Sequence, residues 1–203
     1  MEVQLGSEAA AYQAFKGLIF KPGDAEAVSA WVDHLEAAGV EPEAIACARA
    51  ALAEPQELEF EFNRMCVGPY RLTVPPYESV WRSGARELCN RYTAGVAEHY
   101  AQIGLVIDDG LREPADFIGN ELEFLFCVTA LEQDRLAAGD FEAAQELRAI
   151  HDAFLREHLG HWYGQFCAAM ADDARHPFWR HYALALQRFL DTQVDALPEP
   201  AAA

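Results

Sequence analysis

The sequence predicts an all-α protein, a compact single-domain bundle of about eight to ten helices. Three observations lead there. Apolar residues recur at helical spacing, as Val28, Trp31, Val32 and Leu35 do at i, i+3, i+4 and i+7. Glycine, proline and capping aspartates punctuate the chain at intervals that suit helices. No stretch of any length alternates apolar and polar residues as a half-buried strand would.

The elements follow in order. Ser7 is placed to cap a helix through about Ile19, and Pro22-Gly23 breaks the chain. Asp24 caps a second helix ending near Gly39. Pro42 sits where a first helical turn tolerates proline. Ile45, Ala48 and Leu52 give that short helix its apolar stripe. A fourth helix is expected from about Pro55 to Cys66, with Leu58, Phe62 and Met65 on one face, ended by Gly68-Pro69. Residues 68–80 carry three prolines and two tyrosines, which predicts a stiff extended segment that presents rings or packs as a loop over the core. One helix is expected from there to about Ile103. Pro114 opens the next, to about Ala138. Gly139-Asp140 stops that helix and caps a long helical stretch to about Ala171, bent at Gly160 or Gly164. Pro177 starts the last helix, to about Val194. The helical unit is expected to cover residues 1–194, with a seam near 104–114 and a flexible tail over 195–203.

With 203 residues the chain can bury roughly 70% of its unfolded surface. Its 15 Lys and Arg stand against 33 Asp and Glu, a net charge of −18. Such a chain repels phosphate, so nucleic acid is not an expected partner, and a cationic partner fits better. The five cysteines, Cys47, Cys66, Cys89, Cys127 and Cys167, are odd in number with no C-x-x-C pair, and read as small buried hydrophobes. The first residues lack a basic and apolar leader, and the longest stretch free of Asp, Glu, Lys and Arg, His158 to Ala171, is too short to span a bilayer. A cytoplasmic protein without stable membrane insertion is the expectation.

Few residues depart from a plain bundle. Glu121 falls on the apolar line Phe117, Glu121, Phe124, Val128. A carboxylate there needs a partner, a raised pKa or water. Either an arginine such as Arg86 or Arg91 pairs with it, or it lines a groove or buttresses one. Asp116, three residues after Glu113, reads on spacing alone as an acid in the first turn of a helix. His158 and His161 are spaced i, i+3, with His151 two turns before His158. No glutamate has a histidine three residues later and H-E-x-x-H is absent, so neither a metal nor a cofactor is expected. No nucleotide loop or nucleophile elbow occurs, and nothing supports catalysis.

Three segments in register resemble the TorD/DmsD family of chaperones. They are Gly68-Pro69 with Pro75-Pro76-Tyr77-Glu78-Ser79-Val80-Trp81, then Glu113-Pro114-Ala115-Asp116-Phe117-Ile118-Gly119-Asn120-Glu121-Leu122-Glu123-Phe124, then Phe154-Leu155-Arg156-Glu157-His158-Leu159 with Trp162. One departure stands out: Phe117 occupies the position of the family's hinge histidine. The resemblance implies a TorD-like helical fold and a cytoplasmic chaperone that binds the twin-arginine signal peptide of an exported molybdoenzyme during cofactor insertion and folding. It implies as partners that signal peptide and the enzyme's catalytic subunit. It also implies a peptide site with an apolar wall of Tyr70, Pro75, Pro76, Tyr77 and Trp81. Pro114 and Phe117 adjoin that wall. Carboxylates from Asp116 and Glu121, with Glu113 and Glu78, would face two arginines. A monomer and a swapped dimer are both compatible. The alternatives are a nitrate-reductase assembly chaperone of the NarJ type and, from another class, a metal-dependent helical-bundle enzyme.

Overall fold

The structure is a computed structural model and describes residues 6–69, 71–84, 90–107 and 113–199. It is all-helical, with ten α-helices among these residues. They are α1 (Ser7–Phe20), α2 (Ala25–Ala38), α3 (Pro42–Ala51), α4 (Gln56–Phe62), α5 (Glu78–Ser83), α6 (Arg91–Gln102), α7 (Ile118–Ala137), α8 (Phe141–Glu157), α9 (Tyr163–Asp173) and α10 (Pro177–Asp195).

Most helices start and stop where local chemistry dictates. Asp24 accepts a hydrogen bond from Ala27 N and caps α2, while Gly39 ends it at φ 68°. Asp140 caps α8 through Ala143 N, after Gly139 at φ 77°. Pro42 and Pro177 occupy first-turn positions of α3 and α10.

Helix α7 is the central element, packed between α1 and α8. Its Leu122, Phe124, Leu125 and Val128 are fully or almost fully buried, as its nearly all-round apolar sequence requires. Helix α10 packs on α9 and α3, and α2 joins α1 to α3. The aromatic core links these layers. Phe15 stacks on Phe189 with ring centroids 5.5 Å apart and meets Tyr182 edge-on, and Trp31 meets Phe178 edge-on. Two of its polar tips are satisfied: the Tyr182 hydroxyl donates to Phe15 O at 2.9 Å and Trp179 Nε1 to Leu58 O at 2.9 Å, whereas the buried Trp31 Nε1 finds no acceptor among the described residues.

Several boundaries differ from expectation. Ser7 begins α1 rather than capping it, because Gly6 is the N-cap. In α3 the buried stripe is Ala44, Ala48 and Ala51, with Ile45 and Leu52 only half-buried. The fourth helix continues as a π-helical turn, Asn63–Val67, which keeps Met65 and Cys66 buried. Residues 78–103 form two helices, not one: Gly84 ends α5 at φ 65° and Asn90 caps α6 through Tyr92 N. Helix α7 starts at Ile118 rather than Pro114, so Asp116 precedes the helix instead of lying in its first turn. The long stretch bends through a 3₁₀ turn, Leu159–His161, before α9. A Cβ at Gly160 would sit 2.3 Å from Leu155 O, so the bend requires that glycine, whereas Gly164 lies inside α9 with nothing near it. In the tail, Leu197 packs half-buried against the core. The centre of the expected seam, 108–112, and Arg86 and Cys89 lie outside the described residues. Cys47, Cys66, Cys127 and Cys167 are free, and burial pushes the Cys66 and Cys167 thiols up. No helix among the described residues is long and apolar enough to cross a membrane.

Candidate peptide-binding site

Two segments distant in sequence meet in one seam. Pro75 and Pro76 hold the chain extended, and Tyr77 continues it at φ −133°, ψ 129°. Phe117 is also extended, at φ −72°, ψ 133°. The two residues pair in an isolated antiparallel bridge. Glu78 N donates to Asp116 O at 3.0 Å, and Ile118 N donates to Pro76 O at 2.9 Å. This backbone pairing delays the start of α7.

Side chains lock the seam. Asp116 is fully buried; its Oδ2 accepts from Ser79 N and its Oδ1 from Thr93 Oγ1, each at 2.9 Å. Asp116 therefore caps α5 from a different segment, because Tyr77 offers α5 no side-chain cap. The Tyr77 hydroxyl donates to Glu113 at 2.9 Å, and burial with that bond pushes its pKa up. Trp81 Nε1 donates to Pro75 O at 2.6 Å. Tyr100 donates to Ala115 O at 2.8 Å, and the Asn120 side chain to Pro114 O at 2.9 Å. The Phe117 ring is buried between Tyr77 and Phe20, at 6.0 and 5.9 Å between centroids. A Cβ at Gly119 would come 2.5 Å from this ring, so Gly119 makes the room for it.

Glu78 and Glu121 are also fully buried. Glu78 pairs with Arg82, and His158 Nδ1 lies 3.0 Å from its Oε2. Trp162 Nε1 donates to Glu121 Oε2 at 3.2 Å, and Glu121 Oε1 accepts from no donor. Burial first, and then the adjacent Glu78 charge, holds the Glu121 carboxyl well above the usual carboxylate range. Burial thus favours the protonated form of Glu121.

The expected site residues are placed as follows. The structure brings Pro75, Pro76, Tyr77, Glu78, Trp81, Glu113, Pro114, Asp116, Phe117 and Glu121 into one region. Pro75 and Pro76 are buried, and Tyr77, Trp81, Glu113 and Pro114 are half-buried at its rim. Tyr70 lies outside the described residues. The expectation that Asp116, Glu121 and Glu78 offer open carboxylates is corrected: all three face inward, onto Ser79 and Thr93, Trp162, and Arg82 and His158. Of the two arginines expected for Glu121, Arg86 lies outside the described residues and Arg91 is not its partner. Arg91 instead lies over the Tyr92 ring.

Sequence reasoning missed the cleft beside the seam. Its volume is about 510 Å³, and its wall includes Phe20, Tyr100, Val106, Ile107, Asn120 and Phe124. Three of these touch the seam directly: Phe20 meets Phe117, Tyr100 meets Ala115, and Asn120 meets Pro114. Lys21 and Glu123 edge it, and Lys16 pairs with Glu123. Val106 is 89% exposed there, an exposure that only the fold reveals.

This arrangement has relatives. The family model described as nitrate reductase delta subunit matches residues 20–168. The Tat proofreading chaperone DmsD of Salmonella typhimurium is 28% identical over 125 residues, 62% of this chain and 54% of its own length. The chaperone protein YcdY of Escherichia coli is 27% identical over 143 residues, 70% of this chain and 66% of its own. The chain thus spans about half the length of the first relative and two thirds of the second. The crystal structure of an Archaeoglobus fulgidus protein, described as a redox enzyme maturation protein, shares the fold with a TM-score of 0.57 over 95% of this chain and 96% of that one, at 18% identity. With most of its length matched and the three motifs in register, this chain belongs to the TorD-like nitrate reductase delta subunit family.

Proposed function

We propose that this protein is a cytoplasmic redox-enzyme maturation chaperone that binds the twin-arginine signal peptide of an exported molybdoenzyme and holds it during cofactor insertion and folding. The observation that carries the reading is the continuity of an open apolar cleft with the Tyr77–Phe117 seam. The apolar part of a signal peptide docks against Phe20, Tyr100, Val106, Ile107 and Phe124. Its arginines meet the half-buried Glu113 and the Glu123 edge, where bidentate pairing is possible. Tyr77, Trp81 and Pro114 form the rim, with Pro75, Pro76 and Phe117 bracing it. Asp116, Glu78 and Glu121 act from inside, holding the seam in shape. The net charge of −18 steers a basic leader toward the protein. Binding needs no covalent step, and the named relatives are chaperones.

The test is calorimetry with a synthetic peptide carrying Arg-Arg and a following apolar stretch. Val106→Asp is expected to weaken binding by roughly tenfold or more. Val67→Asp, at a site also exposed but away from the cleft, is expected to change nothing. Equal affinity in wild type and Val106→Asp overturns the cleft as the site. The family model's description favours, as a second reading, a nitrate-reductase assembly chaperone that binds a similar N-terminal peptide without requiring its twin arginines. Replacing Arg-Arg by Lys-Lys in the peptide weakens binding under the first reading and leaves it unchanged under the second.

A further inference from the structure

Away from the cleft, three metal-ligating side chains meet where α6 passes the end of α8. His99, Glu157 and His158 each place one donor atom within 4.8 Å of the others. Both histidines are buried, and Glu157 is exposed. The two rings meet edge-to-face with centroids 4.9 Å apart, and His99 Nε2 is 3.7 Å from Glu157 Oε2. The other ring nitrogens are already committed. His99 Nδ1 lies 3.2 Å from Gly95 O, and His158 Nδ1 lies 3.0 Å from Glu78 Oε2. A carbonyl and a carboxylate can only accept, so both Nδ1 atoms carry hydrogen in the neutral rings. Both Nε2 atoms are then left with lone pairs. Metal-binding histidines are oriented by partners of these two kinds.

Two further features serve the cluster. A Cβ at Gly95 would sit 2.9 Å from His158 Cε1 and 3.4 Å from its Nε2. Helix α6 therefore keeps a glycine in its interior, against helix propensity, where the His158 ring edge lies. Arg82 pairs with Glu78 and donates to Glu157 O at 2.5 Å, so one guanidinium holds both the outer carboxylate and the backbone of a ligand.

We propose that His99, Glu157 and His158 form a binding site for a divalent transition-metal ion, with zinc as the ion its donors suit. Two imidazoles and one carboxylate match Zn²⁺, whereas Ca²⁺ and Mg²⁺ call for an all-oxygen set. A tetrahedral ion with bonds of about 2.0–2.1 Å holds its donors about 3.4 Å apart, so the three must close by roughly an ångström. Glu157 Oε2 already lies 3.7 Å from His99 Nε2, so the remaining closure is between His158 and the other two ligands. The fourth position faces solvent on the Glu157 side and takes water. Through Glu78 the site joins α8 to the first turn of α5.

The test uses the full chain without a histidine tag, stripped by chelator, and titrated calorimetrically with Zn²⁺. One Zn²⁺ per chain is expected, and Co²⁺ in its place is expected to give visible absorption bands of low coordination number. Glu157→Ala is expected to weaken Zn²⁺ binding roughly ten- to a hundredfold while leaving the helical circular dichroism intact, because the side chain is exposed. His99→Gln is expected to abolish the Co²⁺ bands. Since His99 is buried and its variant can misfold, Glu157→Ala decides alone where that happens. Absence of Zn²⁺ binding, or binding that Glu157→Ala leaves unchanged, overturns the site.

Discussion

Asp116 is the most heavily used polar residue of the seam, with both carboxylate oxygens filled and no exposure. Asp116→Ala would leave the Ser79 N–H and the Thr93 hydroxyl without partners in a dry site, at a cost of roughly 2–4 kcal/mol, to be measured by urea unfolding. A smaller loss, within about 0.5 kcal/mol, would mean that water replaces the carboxylate. Glu121 gives the opposite expectation. Its raised pKa means that the fold favours its protonated form, while the unfolded chain ionises at the ordinary carboxylate range. That contribution is fully favourable below about pH 4.5 and is lost as pH rises, so ionisation of the unfolded chain weakens the wild type at neutral pH. Glutamine cannot ionise and still accepts from Trp162. Glu121→Gln is therefore expected to raise Tm at pH 7 and to match wild type near pH 4, and a lower Tm at pH 7 would count against a neutral Glu121. The sequence marked Glu121 as anomalous by its place on an apolar stripe, and singled out Asp116 only through the family resemblance. It could not supply their partners, because Ser79, Thr93 and Trp162 reach them only through the fold.

At the scale of elements, periodicity and caps were enough to locate α2, α8 and α10, since Asp24, Asp140 and Pro177 act locally. They failed where tertiary pairing overrides local preference. Pro114 looks like a first helical residue, yet the backbone of residues 116–118 is taken by the bridge to Tyr77. Gly84 and Gly119 illustrate the same limit: one ends a helix at positive φ and the other clears space for a ring. Paired substitutions separate these roles. Gly119→Ala drives a methyl into Phe117 and Ile19 and is expected to destabilise by about 1–3 kcal/mol. Gly17→Ala, inside α1 with nothing within 4 Å, is expected to stabilise by about 0.5–1 kcal/mol through helix propensity. Thermal melts of the two variants should move in opposite directions. If Gly119→Ala is neutral, the Phe117 ring repacks freely and the seam is less tightly specified than its contacts imply.

At the scale of the whole molecule, a half-buried charge cluster ties α1 to α7 and α8, far along the chain. Arg148 forks onto Glu8 at 2.9 and 3.1 Å and donates to Glu132 at 3.0 Å. His151, 1% exposed, places Nε2 3.1 Å from Glu8 and 3.0 Å from the Tyr12 hydroxyl, and Nδ1 3.1 Å from Asp152. Burial alone would raise the Glu8 pKa, but hydrogen bonds from His151 and Arg148 outweigh it and hold it down to about 2. Burial would lower that of His151, but the bonds to Asp152 and Glu8 outweigh it and raise it. The signs differ in their consequences. Glu8 stabilises the fold above about pH 4.5 and loses that contribution as pH falls toward 2, whereas His151 stabilises fully below about pH 6.5 and loses its contribution as pH rises through its folded value. Stability from this cluster should therefore peak between these limits. Glu8→Gln is expected to lower that peak by about 1–2 kcal/mol, after allowing for solvent screening of a partly exposed group, and to flatten both limbs. His151→Gln should flatten the alkaline limb and shrink the acid one to the share that Arg148 still holds on Glu8. Chemical unfolding from pH 3 to 9 on the three proteins reads both limbs, and an unchanged alkaline limb in His151→Gln would show that His151 carries no charge in the fold and that Arg148 is the cation that pairs with Glu8 of the first helix from the eighth.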